Sequence, residues 1–248
     1  VSGGAEITLP QATLKSMIRQ TLFAVSTSDA KPIHTGTLFV IKDKTIRLVA
    51  VDGCRLAMRT EPVQSDEATD FVVPGKTLGE VLKLMDESDG EVTIGVGRRH
   101  IIFSVNRYSV ISRLLEGEFL DYEKAIPVGC KTEVTVPTRR FIEAVERMSL
   151  VVNDRLKSPI RCTFDGDTVR FSCETAIGTA TDRFRIGPVA EPIEIGFNNR
   201  YLLDAFRAAE TDEVRIQLNG PLSPIKILPK EGEDFLFLVL PVRLRAAE

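Results

Sequence analysis

Two stretches of the chain repeat one pattern of apolar and polar positions. EITLPQATLKSMIRQTLFAV, Glu6 to Val25, aligns without a gap on EVTVPTRRFIEAVERMSLVV, Glu133 to Val152, at a constant shift of 127 residues. Each opens on alternating residues, the period-two signature of a strand, and passes a proline (Pro10, Pro137) suited to a helix start. Apolar residues then recur at helical spacing: Leu14, Met17, Ile18 and Leu22 in the first copy, Phe141, Val145 and Met148 in the second. KDKTIRLVA (Lys42 to Ala50) parallels DGDTVRFSC (Asp165 to Cys173), each a turn followed by an alternating strand. TDFVVPGKTLGEVLKLM (Thr69 to Met85) and PIEIGFNNRYLLDAFRA (Pro192 to Ala208) each predict a strand, a short turn and an amphipathic helix. DGEVTIGV (Asp89 to Val96) and TDEVRIQL (Thr211 to Leu218) then return to strand.

Strand, helix and several strands, written twice, predict an α+β fold of two duplicated domains with mainly antiparallel sheets. The repeat is too long for a solenoid unit and fits tandem domain duplication. The boundary is expected near Val128 to Thr132, giving domains 1–128 and 129–248.

Apolar residues make up 43% of the chain and charged residues 27%, an ordinary soluble, globular composition. No apolar run approaches the roughly 20 residues of a spanning helix, and VSGGAEITLP has no basic segment followed by an apolar one. No targeting signal and no membrane partner are therefore expected. The net charge of −3 runs against DNA binding, which needs clustered Lys and Arg, yet an acidic total is compatible with one basic face. Cys54, Cys130, Cys162 and Cys173 form no C-x-x-C pair, and only His34 and His100 could join them in a zinc site. They read as free, mostly buried thiols of a reducing compartment, so a cytoplasmic location is expected, with no metal and no cofactor.

Two segments invite a catalytic reading. PGKT, Pro74 to Thr77, ends like a phosphate-cradling loop, but the full pattern needs glycine at position 70, where Asp70 stands. A helix start explains it better, with Lys76 and Lys83 on the outer face. Asp121, Asp165, Asp167 and Asp182 offer carboxylates for metal-assisted chemistry, but turn chemistry explains them, Asp165-Gly166-Asp167 being a hairpin signal. Neither histidine sits beside a nucleophile in a recognisable motif. No catalytic centre is expected. A nucleotide-dependent enzyme and a generic two-domain interaction scaffold remain as alternatives.

LVAVDGCRLA (Leu48 to Ala57), ISRLLEGEFLDYEKAIP (Ile111 to Pro127), IGFNNRYLLDAF (Ile195 to Phe206) and LVLPVRL (Leu238 to Leu244) resemble, in order and spacing, the bacterial DNA sliding clamp, the beta subunit of DNA polymerase III. The resemblance covers the second and third of that family's three domains and implies that the first lies upstream or has been removed. It implies the DNA-clamp fold, with sheets outside and two amphipathic helices per domain facing a DNA channel. It further implies a non-catalytic processivity factor: a head-to-tail homodimer ring around duplex DNA, holding the polymerase III catalytic subunit, the clamp loader and other clamp-binding-motif proteins. These two domains alone are expected to be monomeric, with an open edge that includes the strand from Pro221 to Leu228.

The helices' non-core positions carry Lys15, Arg19, Lys76, Lys83, Arg139, Arg140, Arg147, Arg200 and Arg207, a candidate basic face to which Lys31 is added by its loop position in the family. The Arg98 to His100 hairpin is assigned to solvent. In the family, partner peptides enter a groove between the second and third domains. Carried over residue by residue, it takes Val51, Gly53, Cys54, Arg55 and Leu56 on one wall, with His34 at a usually aliphatic position. The far wall takes Leu120, Lys124 and Ala125, then Leu238, Leu240, Pro241 and Val242, with Asn198, Tyr201 and Leu222 at the border. Leu240 and Leu56 are expected to line its apolar floor. Val51, Cys54, Leu120 and Lys124 stand where Thr, His, Pro and Arg are common in the family, which bears on peptide preference.

Overall fold

The computed structural model describes residues 4–245. Contacts divide the chain between Asp121 and Tyr122, earlier than the 128/129 division the repeat suggests. The linking segment packs on the second unit: Lys226 Nζ donates to the Pro127 carbonyl at 2.8 Å and Asn219 Nδ2 to that of Gly129 at 3.2 Å.

The first unit runs β1 (Ala5–Pro10), α1 (Gln11–Leu22), β2 (Gly36–Lys42), β3 (Thr45–Val51), β4 (Arg55–Pro62), β5 (Thr69–Pro74), α2 (Gly75–Leu84), β6 (Glu91–Val96), β7 (His100–Val105) and β8 (Tyr108–Arg113). Its strands pair antiparallel in the orders β1-β6-β7-β8 and β5-β2-β3-β4. Alternation assigns the faces: along β6 and β7, Val92, Ile94, Val96, Ile101, Phe103 and Val105 point inward. They meet Leu14, Met17 and Ile18 from α1 and Leu78 and Val81 from α2 in one core, where Phe39 stacks on Phe71 with ring centroids 5.3 Å apart.

The second unit runs β9 (Thr132–Pro137), α3 (Thr138–Ser149), β10 (Ile160–Asp165), β11 (Thr168–Thr175), β12 (Gly178–Arg185), β13 (Ile193–Phe197), α4 (Asn199–Ala209), β14 (Glu213–Leu218), β15 (Ile225–Pro229) and β16 (Phe235–Val239). Its orders, β9-β14-β15-β16 and β13-β10-β11-β12, reproduce those of the first unit strand for strand. Phe141 of α3 lies flat on Phe206 of α4, centroids 4.0 Å apart, and edge-on to Phe171 of β11.

The duplication reaches single hydrogen bonds. A helix's first N–H groups lack partners inside the helix. Here the Gln11 N–H donates to the Gly90 carbonyl just before β6 (3.0 Å), and the Thr138 N–H to the Asp212 carbonyl just before β14 (2.8 Å). The side chains differ: the Gln11 amide bonds Ser88 and Asn106, whereas the buried Thr138 hydroxyl has no partner among the described residues.

One expectation is corrected. The Pro221–Leu228 stretch is not an open edge, because β15 lies between β14 and β16; β12 is an edge strand of its sheet. The last strand ends at Val239 and is buried on both faces, so Leu240 and Val242 continue no strand face; Val242 instead donates its N–H to Gly196 at 2.8 Å. No helix among the described residues is long and apolar enough to cross a membrane.

Candidate functional site

Most of the helix-borne cations hold carboxylates. On α1, Lys15 contacts Glu87 at 2.8 Å and Arg19 approaches the same carboxylate at 3.6 Å, so the Lys15 hydrogen bond, then its charge, hold Glu87 below the usual carboxylate range. Lys83 pairs with Glu80 and Arg139 with Glu143 one turn along their helices. Arg140 clasps Asp182 of β12 with two 2.9 Å bonds, and Arg147 reaches it at 2.7 Å. The Arg140 hydrogen bond leads in lowering the Asp182 pKa, and that of Arg140 rises in return. Arg200 pairs with Asp154 and Arg207 with Glu146. Lys31 and Lys76 are exposed and make no ion pair among the described residues. Asp182, read from sequence as turn chemistry, is thus a mid-strand anchor for two arginines of α3.

The peptide-site candidates separate by burial. The turn from β3 to β4 is built around Asp52, whose Oδ1 accepts the N–H groups of Cys54 and Arg55, both at 3.0 Å, while Oδ2 receives Arg55 Nε at 2.9 Å. Gly53 supplies the φ of +87° this turn needs, with open space where a side chain would stand. The Arg55 guanidinium lies 5.6 Å from the Phe23 ring centroid. Cys54 is exposed, whereas Val51 and Leu56 are buried. Leu120 is 47% exposed beside His34, whose Nε2 accepts the Leu120 N–H at 3.3 Å and whose ring meets Phe119 edge-on at 5.0 Å. Burial, then the charge of Lys31, lower the His34 pKa.

In the second unit, Lys124 and Ala125 are exposed on a single 3-10 turn, Tyr122–Ala125. Asn198 caps α4, its Oδ1 accepting the Arg200 and Tyr201 N–H groups at 3.0 and 3.3 Å. Tyr201, Pro241 and Val242 are half-buried, Leu238 is buried, and Leu222 and Leu240 are exposed at 62% and 41%. Leu120, Leu222 and Leu240 are therefore the candidate leucines available to a partner.

Cys162 and Cys173 are buried, and burial raises both thiol pKa values; Cys54 and Cys130 are exposed, more than the sequence suggested. Among the described residues no three His, Cys, Asp or Glu side chains cluster to hold a metal. Asp70 pairs with Val40 inside the sheet and Gly75 opens α2, so the PGKT segment is a strand-to-helix corner.

Residues 8–121 match the family model described as DNA polymerase III beta subunit, central domain, and residues 123–243 the one described as its C-terminal domain. The Beta sliding clamp of Staphylococcus epidermidis is 32% identical over 246 residues, covering 98% of this chain and 65% of that protein. That of Staphylococcus aureus is 31% identical over the same span, so the chain extends over about two thirds of the length of these relatives. The crystal structure of the DNA polymerase sliding clamp from Bacillus subtilis superposes with a TM-score of 0.95 at 30% identity, over 99% of this chain and 66% of that one. The Pseudomonas aeruginosa sliding clamp bound to griselimycin gives 0.93 at 29% identity, over 98% and 67%.

Proposed function

The chain belongs to the DNA polymerase III beta subunit family, of which it carries the central and C-terminal domains, and we propose that it acts as part of a sliding clamp. In this reading it is a cytoplasmic, non-catalytic processivity factor. A homodimer ring encircles duplex DNA with its helices facing inward and tethers the polymerase III catalytic subunit, the clamp loader and other clamp-binding-motif proteins. The observation that carries it is the twice-built unit, a pair of amphipathic helices over antiparallel sheets, with both copies matched in order by the family's own domains.

The electrostatics fit enclosure better than grip. A cation already paired with a carboxylate gains little by exchanging it for a phosphate, so contact is weak and sequence-independent. For ring closure, β12 offers an unpaired row of backbone groups, with Leu150, Leu156 and Ile177 exposed on the same unit at 80%, 69% and 66%. A strand added there by the next subunit would close a head-to-tail contact.

Partner peptides carrying a Gln and a Leu/Phe pair are assigned to the groove of the family, with Leu240 as an exposed apolar contact. Burying such an anchor contributes about 1.5–3 kcal/mol, so Leu240→Asp should weaken binding at least about tenfold. Calorimetry on the folded variant tests this, and unchanged affinity would remove Leu240 from the site.

A further inference from the structure

The helix arginines are neutralised, but a second group of arginines is not. On the face of the β10-β11-β12 sheet turned away from α3, Arg170 and Arg183 are partners in the antiparallel register, directly opposite each other. Arg185, two residues along β12, projects from the same face at a spacing of about 6.7 Å. Among the described residues no carboxylate pairs with any of the three. Like charges directly opposite on a sheet destabilise it. Thr163, Ser172 and Thr181 bring hydroxyl groups beside the pair, and with Arg170 and Arg183 they line a concavity of about 520 Å³. Of the acids around it, Asp182, which also lines the concavity, turns its carboxylate to Arg140 and Arg147 of α3, and Glu194 is held by Arg161 and by Thr163; Asp165 and Glu174 stand on the same face, two residues beyond Thr163 and Ser172 along their strands.

We propose that this concavity binds a small polyphosphate, its oxygens taken by the guanidinium forks of Arg170 and Arg183 with hydroxyl donors at the side. Guanidinium groups match phosphate oxygens in pairs, and two or three facing cations are balanced by a ligand of several negative charges. The volume suits a small molecule. A single nucleic-acid strand would be expected to find aromatic side chains for its bases, and this face of β10, β11 and β12 carries none. The ligand's phosphates could be those of an inorganic polyphosphate or of a nucleotide. The site is separate from the PGKT corner and does not depend on the sliding-clamp reading.

The test is calorimetric titration of the chain with inorganic tripolyphosphate and with ATP at low salt. Saturable binding is expected, weakened at least about tenfold in Arg170→Ala and in Arg183→Ala, each losing charge-assisted hydrogen bonds, and unchanged in Arg98→Ala of the other unit. Without ligand, both site variants should melt at the wild-type temperature or above, since each relieves a like-charge pair; with tripolyphosphate only the wild type and Arg98→Ala should gain in Tm. Equal affinity for the two probes assigns the site to polyphosphate itself, and tighter ATP binding assigns it to a nucleotide. Absence of saturation, equal affinity in the site variants, or tighter and competing binding of a single-stranded oligonucleotide would overturn the proposal.

Discussion

Replacing Asp182 with Asn removes the carboxylate that holds Arg140 and Arg147 and should make DNA binding more sensitive to salt. Eight of the ten candidate DNA-facing cations are paired among the described residues, by six carboxylates, since Glu87 and Asp182 each hold two; Lys31 and Lys76 make no ion pair there. A cation that leaves its carboxylate for a phosphate releases a counterion from DNA, but the abandoned carboxylate takes one up, so the net release is near zero. The logarithm of the binding constant falls against that of salt with a slope of about −0.9 per neutralised phosphate, so ten cations offset by six carboxylates give about −3.6 and ten without carboxylates would give about −9. Asp182→Asn removes one of these carboxylates and should steepen the slope to about −4.5, while Lys76→Ala should reduce it to about −2.7. The lost charge-assisted hydrogen bonds destabilise by about 1.5–3 kcal/mol, which a domain of ordinary stability tolerates. Fluorescence anisotropy of a labelled duplex between 50 and 200 mM salt (roughly the range over which such slopes are read) gives all three values. A wild-type slope near −9, or no change on Asp182→Asn, would refute the neutralisation argument.

Three further outcomes are expected. His34 should titrate below the ordinary imidazole range. The stability contributed by its neutral ring should be complete above the unfolded-state value of about 6.5 and lost as pH falls through the window beneath it towards the folded pKa; an NMR titration with the midpoint above 6.5 would contradict this. Phe141→Ala should lower unfolding stability by about 3–5 kcal/mol in urea, because the ring is fully buried and stacked on Phe206, and a loss under 1 kcal/mol (roughly a surface-residue effect) would show that the stack carries little. Thr138→Val, which removes an unpartnered buried hydroxyl, should leave stability unchanged or raise it by up to about 1 kcal/mol in the same assay, and a clear loss would mean that the hydroxyl is satisfied in solution.

The duplication was legible because it is written in local patterns: the 127-residue shift maps β1 and α1 onto β9 and α3 residue for residue, and the two-residue turns at Asp43-Lys44 and Gly166-Asp167 sit where the sequence put them. The neutralisation of the basic face was legible only in part. Glu80 with Lys83 and Arg139 with Glu143 lie one turn apart, but Asp182 is 42 residues from Arg140 and Glu146 is 61 from Arg207, separations that only the fold brings together. The unit boundary was misplaced because the segment from Tyr122 to Lys131 has no repeat partner in sequence, and hydrogen bonds to Lys226 and Asn219 decide its allegiance. Burial of Leu56 and Leu238 was equally hidden, since alternation marks which residues share a face of a strand and is silent on what covers that face.

If this chain tethers partners through a short peptide, a crystal structure of the chain with a peptide bearing Gln and a Leu/Phe pair should show the contact. The peptide's apolar anchors are expected within about 4 Å of the Leu240 side chain. A peptide seated away from Leu240, or a chain that excludes the peptide at millimolar concentration (roughly the weakest affinity worth calling specific), would contradict that tethering.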